Sequence, residues 1–174
     1  MSDRRPHLLA PSAAEEAQRL AEATALAMYG RDNASQSLGI KIHQVRPGYA
    51  RLSMRVRLDM LNGHASCHGG FIFALADSAF AFSCNSRNLA TVAAGCSIDY
   101  LAPGALNDML TAEAIEQSLA GRTGIYDVTV SNQNAKRIAL FRGRSHQIRG
   151  DVIGRAEDRE GRECTTTFHA HPLT

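Results

Sequence analysis

The stretch His68-Gly69-Gly70-Phe71-Ile72-Phe73-Ala74-Leu75-Ala76-Asp77 places one carboxylate in a segment that otherwise has the composition of a buried helix. From Phe71 to Cys84, Asp77 is the only charged residue. A helix that is apolar on all sides belongs in a core, where a charge is costly and is usually retained for a function. Asp77 is therefore the first candidate catalytic residue. The alternative is a structural salt bridge or a hydrogen bond to a neighbouring loop.

The segments around this helix predict an antiparallel sheet. Before it, residues 40–56 alternate apolar and polar side chains around a turn at Pro47-Gly48, with Ile40, Ile42 and Gln44 on the inner side of the first strand. After it come four strand-like runs, at about residues 91–100, 109–118, 125–132 and 137–148. No second helix separates these runs, so parallel crossovers are disfavoured. The predicted fold class is α+β, with a long curved antiparallel sheet wrapped around one central helix.

The two ends of the chain differ from this central part. Ser12 and Glu15 form a capping-box pattern, and Gly30 closes an amphipathic helix that we expect at the edge of the fold. After Gly150 the sequence is polar and charged without periodicity, which is typical of a disordered tail. The predicted organisation is an N-terminal helical segment (1–39), a central domain (40–150) and a tail (151–174).

Composition limits the class of protein. A chain of 174 residues with 44% hydrophobic residues suits one compact domain, and a net charge of +2 does not indicate nucleic-acid binding. No apolar run approaches the roughly 20 residues that span a bilayer, and acidic residues interrupt the apolar part of the start, unlike a targeting signal. The four cysteines have no paired spacing, which suits a reducing cytoplasm. We therefore expect a cytoplasmic protein without a membrane segment.

The glycines before the buried helix indicate a site for an anion or a developing oxyanion. Unsatisfied N–H groups and the positive end of the helix dipole meet at a helix N-terminus, and Gly69 and Gly70 allow a ligand to approach the backbone closely. The alternative is that the two glycines only turn the chain into the helix.

Helix geometry separates the two halves of this candidate site. Asp77 lies eight residues beyond Gly69, which is about 12 Å along a helix axis, whereas a base acts within about 3 Å of its target or through one water. Asp77 therefore cannot serve a carbonyl that is bound at the N-terminus of its own helix. If both elements belong to one site, a second subunit must supply one of them, and the protein is an obligate dimer.

The loop before the helix contains further polar candidates. Asn62 or a neighbouring histidine, His64 or His68, could hold a carbonyl oxygen or orient a water. Helix capping and loop hydrogen bonds explain the same residues equally well. Cys67 with these histidines lacks a further ligand pair at a recognisable spacing, as do Cys164, His169 and His171, so no metal site is predicted. Cys67 and His68 are adjacent in the chain, and the side chains of adjacent residues seldom point at each other. This disfavours a thiol nucleophile at Cys67 with His68 as its base.

Two basic features could bind phosphates. Gly121-Arg122-Thr123-Gly124 is a tight basic turn without the spacing of a Walker loop. Arg142, Arg144 and His146 share one face of the last strand, since side chains alternate with period two. A solvated strand face is the alternative reading of this row.

From about Ile40 to Gly150 the chain resembles the hotdog-fold acyl-CoA thioesterases, and among them it closely resembles the hydroxyphenylacetyl-CoA thioesterases of phenylacetate degradation. The resemblance rests on the following residues: Asn62-Gly63-His64, Cys67-His68-Gly69-Gly70, Leu75-Ala76-Asp77, Cys84-Asn85-Ser86, Ile98-Asp99-Tyr100, Pro103-Gly104, Gly121-Arg122-Thr123-Gly124 and Phe141-Arg142-Gly143-Arg144-Ser145-His146. The N-terminal helix is less specific, and the tail lies outside the pattern.

The resemblance implies a fold, an assembly and a set of roles. It implies a hotdog homodimer with a continuous sheet and adjacent central helices, commonly paired again into a homotetramer, that hydrolyses acyl-CoA without a metal or redox cofactor. Asp77 would be the general base or the nucleophile, the Gly69 amide would polarise the carbonyl, and Asn62 with His68 would position the carbonyl or the water. Residues implied to lie toward CoA are Gly70, Gly121, Arg122, Thr123, Arg144 and His146.

One departure leaves part of the mechanism open. Some relatives place a hydroxyl residue near the attacking water from the strand after the helix, where this chain has Ala93, Ala94 and Gly95. Thr91 and Ser97 are the nearby hydroxyl residues.

Two other functions remain compatible with the sequence. A hotdog hydratase or dehydratase would need a histidine and a carboxylate arranged for proton transfer across a carbon–carbon bond, and release of free thiol from acyl-CoA distinguishes it from a hydrolase. A non-catalytic acyl-CoA-binding module would bind such ligands tightly without cleaving them.

Overall fold

The computed structural model describes residues 11–154. Two helices, α1 and α2, precede the first hairpin, β1 and β2, and a short 3-10 turn at Leu58–Met60 leads to the central helix α3. Four strands, β3 to β6, follow. The bounds are α1 Ala13–Tyr29, α2 Asn33–Ser37, β1 Lys41–Arg46, β2 Tyr49–Arg55, α3 Gly69–Cys84, β3 Leu89–Tyr100, β4 Met109–Ala120, β5 Thr123–Ser131 and β6 Arg137–Asp151.

The strands form one six-stranded antiparallel sheet that packs around α3. Its order is β1-β2-β4-β5-β6-β3, and every neighbouring pair is antiparallel. Strand alternation turns the inner apolar set toward the helix, so that Leu52, Leu110 and Val128 are buried together with Leu75 and Phe80 of α3. This architecture confirms the predicted fold class, a curved antiparallel sheet around a central helix.

Helix α1 lies along β1 and covers one edge of the sheet. Its capping box is formed, with Glu15 N donating to Ser12 Oγ (3.3 Å) and Ser12 N donating to Glu15 Oε2 (2.7 Å). Gln18 Nε2 donates to Val45 O (2.9 Å), and Tyr29 Oη donates to Ile40 O (2.7 Å). The helix, its cap and its place at the edge are as predicted, whereas the five-residue α2 was not expected from the sequence.

The inward residues of β1 differ from the alternation that the sequence indicates. The ladder with β2 shifts register between Ile42 and Gln44, so His43 is the extra residue of a bulge. The bulge turns Gln44 outward and makes Val45 the buried residue, with 4% of its surface exposed. The expectation that Gln44 faces the core was therefore wrong.

The opposite edge of the sheet is the 12-residue strand β3. Within residues 11–154, β6 is the only strand that pairs with β3, and most residues of β3 are exposed, including Val92 at 46%. A long apolar edge strand is a template for pairing with another chain.

The domain boundaries at residues 39 and 150 stay a prediction, and so does the disordered tail, because residues 155–174 lie outside the described part. Within the described residues, β6 continues to Asp151, and Ile153 N donates to Asn88 Oδ1 (2.8 Å). None of the helices between residues 11 and 154 is long and apolar enough to cross a membrane.

Candidate active site

The N-terminus of α3 presents one free backbone donor. His68 is the N-cap, and its Nδ1 accepts a hydrogen bond from the Gly70 amide (3.0 Å). The neighbouring Gly69 amide makes no hydrogen bond within the described part of the chain. The Gly69 N–H is therefore available to a carbonyl oxygen at the positive end of the helix dipole. Because Nδ1 of His68 accepts, a neutral ring carries its proton on Nε2, which can act as a second donor.

Asp77 lies on a half-buried face of α3 that it shares with Phe73, Ala74 and Ala81. The only hydrogen-bond partner of its side chain among residues 11–154 is the Cys96 thiol, with Sγ 4.0 Å from Oδ1, and the carboxylate forms no salt bridge in this range. The alternative of a structural salt bridge thus finds no support in the described residues. Desolvation by burial raises the pKa of Asp77, which makes its carboxylate a stronger base than an exposed one.

Gly69 and Asp77 belong to one uninterrupted helix. At 1.5 Å per residue they are about 12 Å apart along the axis, so within one chain they do not reach the same reacting atom. The separation expected from the sequence is thus retained in the structure.

Asn62 organises the loop before α3. Its Oδ1 accepts hydrogen bonds from His64 N (2.9 Å), Ser66 N (3.3 Å) and Ser66 Oγ (3.2 Å). These bonds use only the oxygen of the amide, so the Nδ2 group remains a possible donor to a ligand. The His64 side chain is exposed. For both Asn62 and His68, the structure shows the loop or capping role and leaves one further donor group.

The buried thiols are poor nucleophiles. Burial raises the pKa of the Cys67 thiol to about 11. The pKa of the Cys84 thiol is raised to about 12, and burial is the largest cause of that shift. Both are therefore protonated near neutral pH, whereas nucleophilic attack requires the thiolate. Cys164, His169 and His171 lie outside the described residues.

The residues expected near CoA phosphates meet at one end of the sheet. Arg122 donates from Nε (2.9 Å) and Nη2 (2.6 Å) to Gln147 O, and Thr123 pairs with His146 across β5 and β6. A Cβ atom on Gly95 would lie 3.2 Å from Nη2 of Arg144, so that side chain rests on β3.

This cluster faces away from α3. In the second half of β6, Phe141, Gly143 and Ser145 are buried, and a Cβ atom on Gly143 would lie 2.8 Å from the Phe80 ring of α3. Arg144 and His146 alternate with them and occupy the opposite face of the sheet. The structure thus groups these phosphate-binding candidates with the Gly121–Thr123 turn, but on the face opposite to Asp77.

Comparison with known proteins places this geometry in a family. Residues 64–139 match the family model of the thioesterase superfamily. The acyl-coenzyme A thioesterase PaaI of Escherichia coli is 50% identical over 130 residues, which cover 75% of this chain and 93% of that protein. The chain belongs to the thioesterase superfamily.

Solved thioesterase structures agree with this assignment. The structure of E. coli PaaI, from the phenylacetic acid degradation operon, has a TM-score of 0.76 at 48% identity and covers 77% of this chain and 97% of that one. A hypothetical thioesterase protein from Streptococcus pneumoniae, solved with coenzyme A, has a TM-score of 0.60 at 27% identity, covering 62% of this chain and 87% of that one. The resemblance to hotdog thioesterases and the predicted enzyme class, a thioester hydrolase, are confirmed.

Sequence reasoning missed two β3 residues on the α3 side of this thioesterase sheet. Cys96 contacts Asp77, and Tyr100 Oη donates to Gly69 O (2.9 Å). The hydroxyl residues considered from the sequence are placed elsewhere: Thr91 Oγ1 donates to Leu89 O (2.7 Å), and Ser97 pairs with Arg142 on the other face. The signal that could have found Cys96 and Tyr100 is their period-two spacing around Ile98, which packs against the core.

Proposed function

We propose that the protein hydrolyses acyl-CoA thioesters of the phenylacetyl or hydroxyphenylacetyl type at a site shared by two subunits. One observation carries the proposal: α3 holds a free amide at its N-terminus and, about 12 Å further along, a carboxylate without an ion pair in the described residues. The E. coli relative is an acyl-coenzyme A thioesterase, and it is a protein of the phenylacetic acid degradation operon. This relative supports the choice of acyl group.

A homodimer would bring the two halves of the site together. The unpaired edge of β3 lies beside the half-buried face of α3, as the contact between Cys96 and Asp77 shows. If two β3 edges pair antiparallel about a twofold axis, the two α3 helices lie alongside in opposite directions. With the axis near Phe73, midway between Gly69 and Asp77, Gly69 of one subunit faces Asp77 of the other. The same pairing covers the exposed edge strand and the apolar helix face.

The proposed reaction needs no group beyond water and these residues. The thioester oxygen accepts a hydrogen bond from the Gly69 N–H, which stabilises the oxyanion as the carbonyl carbon becomes tetrahedral. Asp77 of the other subunit takes a proton from water, and the hydroxide oxygen forms the new bond to carbon. The intermediate collapses by breaking the carbon–sulfur bond, and the departing CoA sulfur takes the proton that Asp77 holds. This step releases the carboxylic acid and the CoA thiol and regenerates the Asp77 carboxylate. In the alternative route, the carboxylate attacks first, and water then hydrolyses the resulting anhydride.

Two side chains complete the proposed site on the carbonyl side. The Nδ2 group of Asn62 and the Nε2–H of His68 are donors that the loop and the helix cap leave free. They would position the thioester oxygen or the attacking water. Because the Gly70 amide is bonded to His68, Gly70 would contribute the absence of a side chain, which lets the substrate approach the helix.

The CoA arm is assigned to the basic end of the sheet. Gly121, Arg122 and Thr123, with Arg144 and His146, offer backbone and cationic donors for phosphates. Because Arg144 and His146 face away from Asp77, we propose that they reach CoA across a contact between two dimers, in the homotetramer expected from the sequence. A cytoplasmic location likewise stays a prediction.

A hydrolysis panel tests the function. Purified protein is incubated with aryl, short-chain and long-chain acyl-CoA thioesters, and the released thiol is followed with a chromogenic thiol reagent. We expect the highest kcat/KM with phenylacetyl-CoA or its hydroxy derivative, and the free acid as the second product. Water addition to an unsaturated acyl-CoA without thiol release would instead indicate a hydratase, and tight binding without turnover would indicate a binding module.

A further inference from the structure

The first turn of α3 receives a contact from the far end of β3. Tyr100 Oη donates a hydrogen bond to Gly69 O (2.9 Å), although the two residues are 31 positions apart. The ring also lies over the glycine, because a Cβ atom on Gly69 would be 2.9 Å from Tyr100 Cζ and 3.0 Å from Oη. Tyr100 therefore contacts, in two independent ways, the residue whose amide is the free donor of the site.

The peptide between Gly69 and Gly70 is held at both ends. Its carbonyl oxygen accepts from Tyr100 (2.9 Å), and its N–H donates to Nδ1 of His68 (3.0 Å). Two successive glycines have the largest backbone freedom of any dipeptide, and these two bonds restrict it further at the first turn of the helix. The preceding peptide, which carries the Gly69 N–H, is joined to this one through the φ and ψ angles of Gly69, which the helix confines. Its own carbonyl, His68 O, accepts a hydrogen bond from Phe71 N (3.0 Å).

We propose that Tyr100 is a positioning residue for thioester hydrolysis. Its hydroxyl, together with the His68 ring, holds the Gly69 N–H in the direction of the substrate carbonyl. A donor that is already oriented stabilises the oxyanion without reorganisation during the reaction. Tyr100 acts through Gly69 and does not contact the reacting atoms. The proposal rests on the proposed function, in which the Gly69 amide is the oxyanion donor.

The test is the substitution Tyr100→Phe, which keeps the ring over Gly69 and removes the hydrogen bond. We expect kcat for phenylacetyl-CoA to fall roughly 2- to 10-fold, the loss of one ordinary hydrogen bond, while KM changes less than about twofold. Amide exchange at Gly70, measured by NMR on the whole protein, should accelerate by a similar factor. The matched control is Tyr49→Phe, which removes a hydroxyl that donates to Glu113 Oε1 (2.6 Å) on the sheet face away from α3. It should change neither kcat nor the exchange at Gly70.

The outcomes separate this proposal from the proposed function. Wild-type kcat and wild-type exchange at Gly70 in Tyr100→Phe would overturn it, and so would a raised KM at unchanged kcat, which indicates a direct substrate contact. If the wild-type protein cleaves no acyl-CoA thioester, the proposed function fails. In that case the exchange at Gly70 still reports on the hydrogen bond, and unchanged exchange in Tyr100→Phe rejects the role of Tyr100 independently.

Discussion

Replacing Asp77 with Asn should increase the stability of the protein while removing most of its activity. Burial raises the pKa of the Asp77 carboxyl, and no ion pair within residues 11–154 offsets the desolvation. A raised folded-state pKa means that the folded protein binds more protons than the unfolded chain between the two pKa values. The stability contributed by the protonated group is therefore complete below the unfolded pKa and is lost as pH rises through the folded one. At neutral pH the ionised carboxylate destabilises the fold, and the isosteric amide relieves this cost.

The size of the stability change follows from the partial burial. A fully buried polar group without a partner costs about 1–3 kcal/mol, and Asp77 is only half-buried in one chain, so we expect a gain near the lower end, about 1 kcal/mol. For a chain of this length, that gain raises the Tm by about 2–4 °C. Loss of a general base should lower kcat by about 10²- to 10⁴-fold.

The assay combines chemical denaturation with steady-state kinetics at one protein concentration, since a dimer's apparent stability depends on concentration. The stability gain should shrink as pH falls and Asp77 becomes protonated. Glu22→Gln makes the same carboxylate-to-amide change on the exposed face of α1 and should alter neither property. A less stable Asp77→Asn protein would refute the reasoning, because it would show that the carboxylate stabilises the fold through a partner.

Two further predictions concern pH and packing. In the proposed mechanism Asp77 acts in its ionised form, and burial raises its pKa. The acid limb of the kcat/KM profile should therefore have its midpoint above the ordinary aspartate value of 3.8; a midpoint at or below that value would exclude Asp77 as the titrating group. Gly143→Ala would place a Cβ 2.8 Å from the Phe80 ring in the core. Overpacking of this kind should lower the free energy of unfolding by about 1–3 kcal/mol, as measured by urea denaturation. The control is Gly63→Ala at an exposed position, where the new Cβ would have no atom within 4 Å. Wild-type stability of Gly143→Ala would show that β6 and α3 are less closely packed than described.

Local patterns were sufficient for most of the fold. The capping box at Ser12 predicted the start of α1. Period-two alternation predicted the first two strands, and strand-like runs between turn residues predicted the other four. The bulge at His43 was not predictable, because an inserted residue leaves no mark in the alternation until the ladder with β2 is known. The five-residue α2 is also too short to show a helical period.

The candidate site was predictable where its parts are local. Helix geometry alone separates Gly69 from Asp77, and the glycines mark the helix N-terminus. By contrast, the contact of Tyr100 with Gly69 and that of Cys96 with Asp77 join segments 31 and 19 residues apart, which only the fold brings together. Period two shows that Arg144 and His146 share a face, whereas their proposed contact with CoA depends on a contact between copies of the chain, which the sequence does not specify.

Mixing two inactive variants is the most direct measurement of the shared site. Asp77→Asn removes the carboxylate, and Gly69→Pro removes the free amide. Proline should be tolerated at residue 69, because this is the first helical position, where proline is favoured, and because His68 already has the extended backbone that precedes proline (φ −62°, ψ 133°). The exposed Tyr100 ring can move aside to make room for the proline ring. After equal mixing and random exchange, half of the dimers are hybrids, and each hybrid has one intact site out of two. The mixture should therefore recover about one quarter of wild-type activity. Activity no higher than that of the separate variants, with subunit exchange demonstrated by native mass spectrometry, would contradict a site built from Gly69 of one subunit and Asp77 of the other.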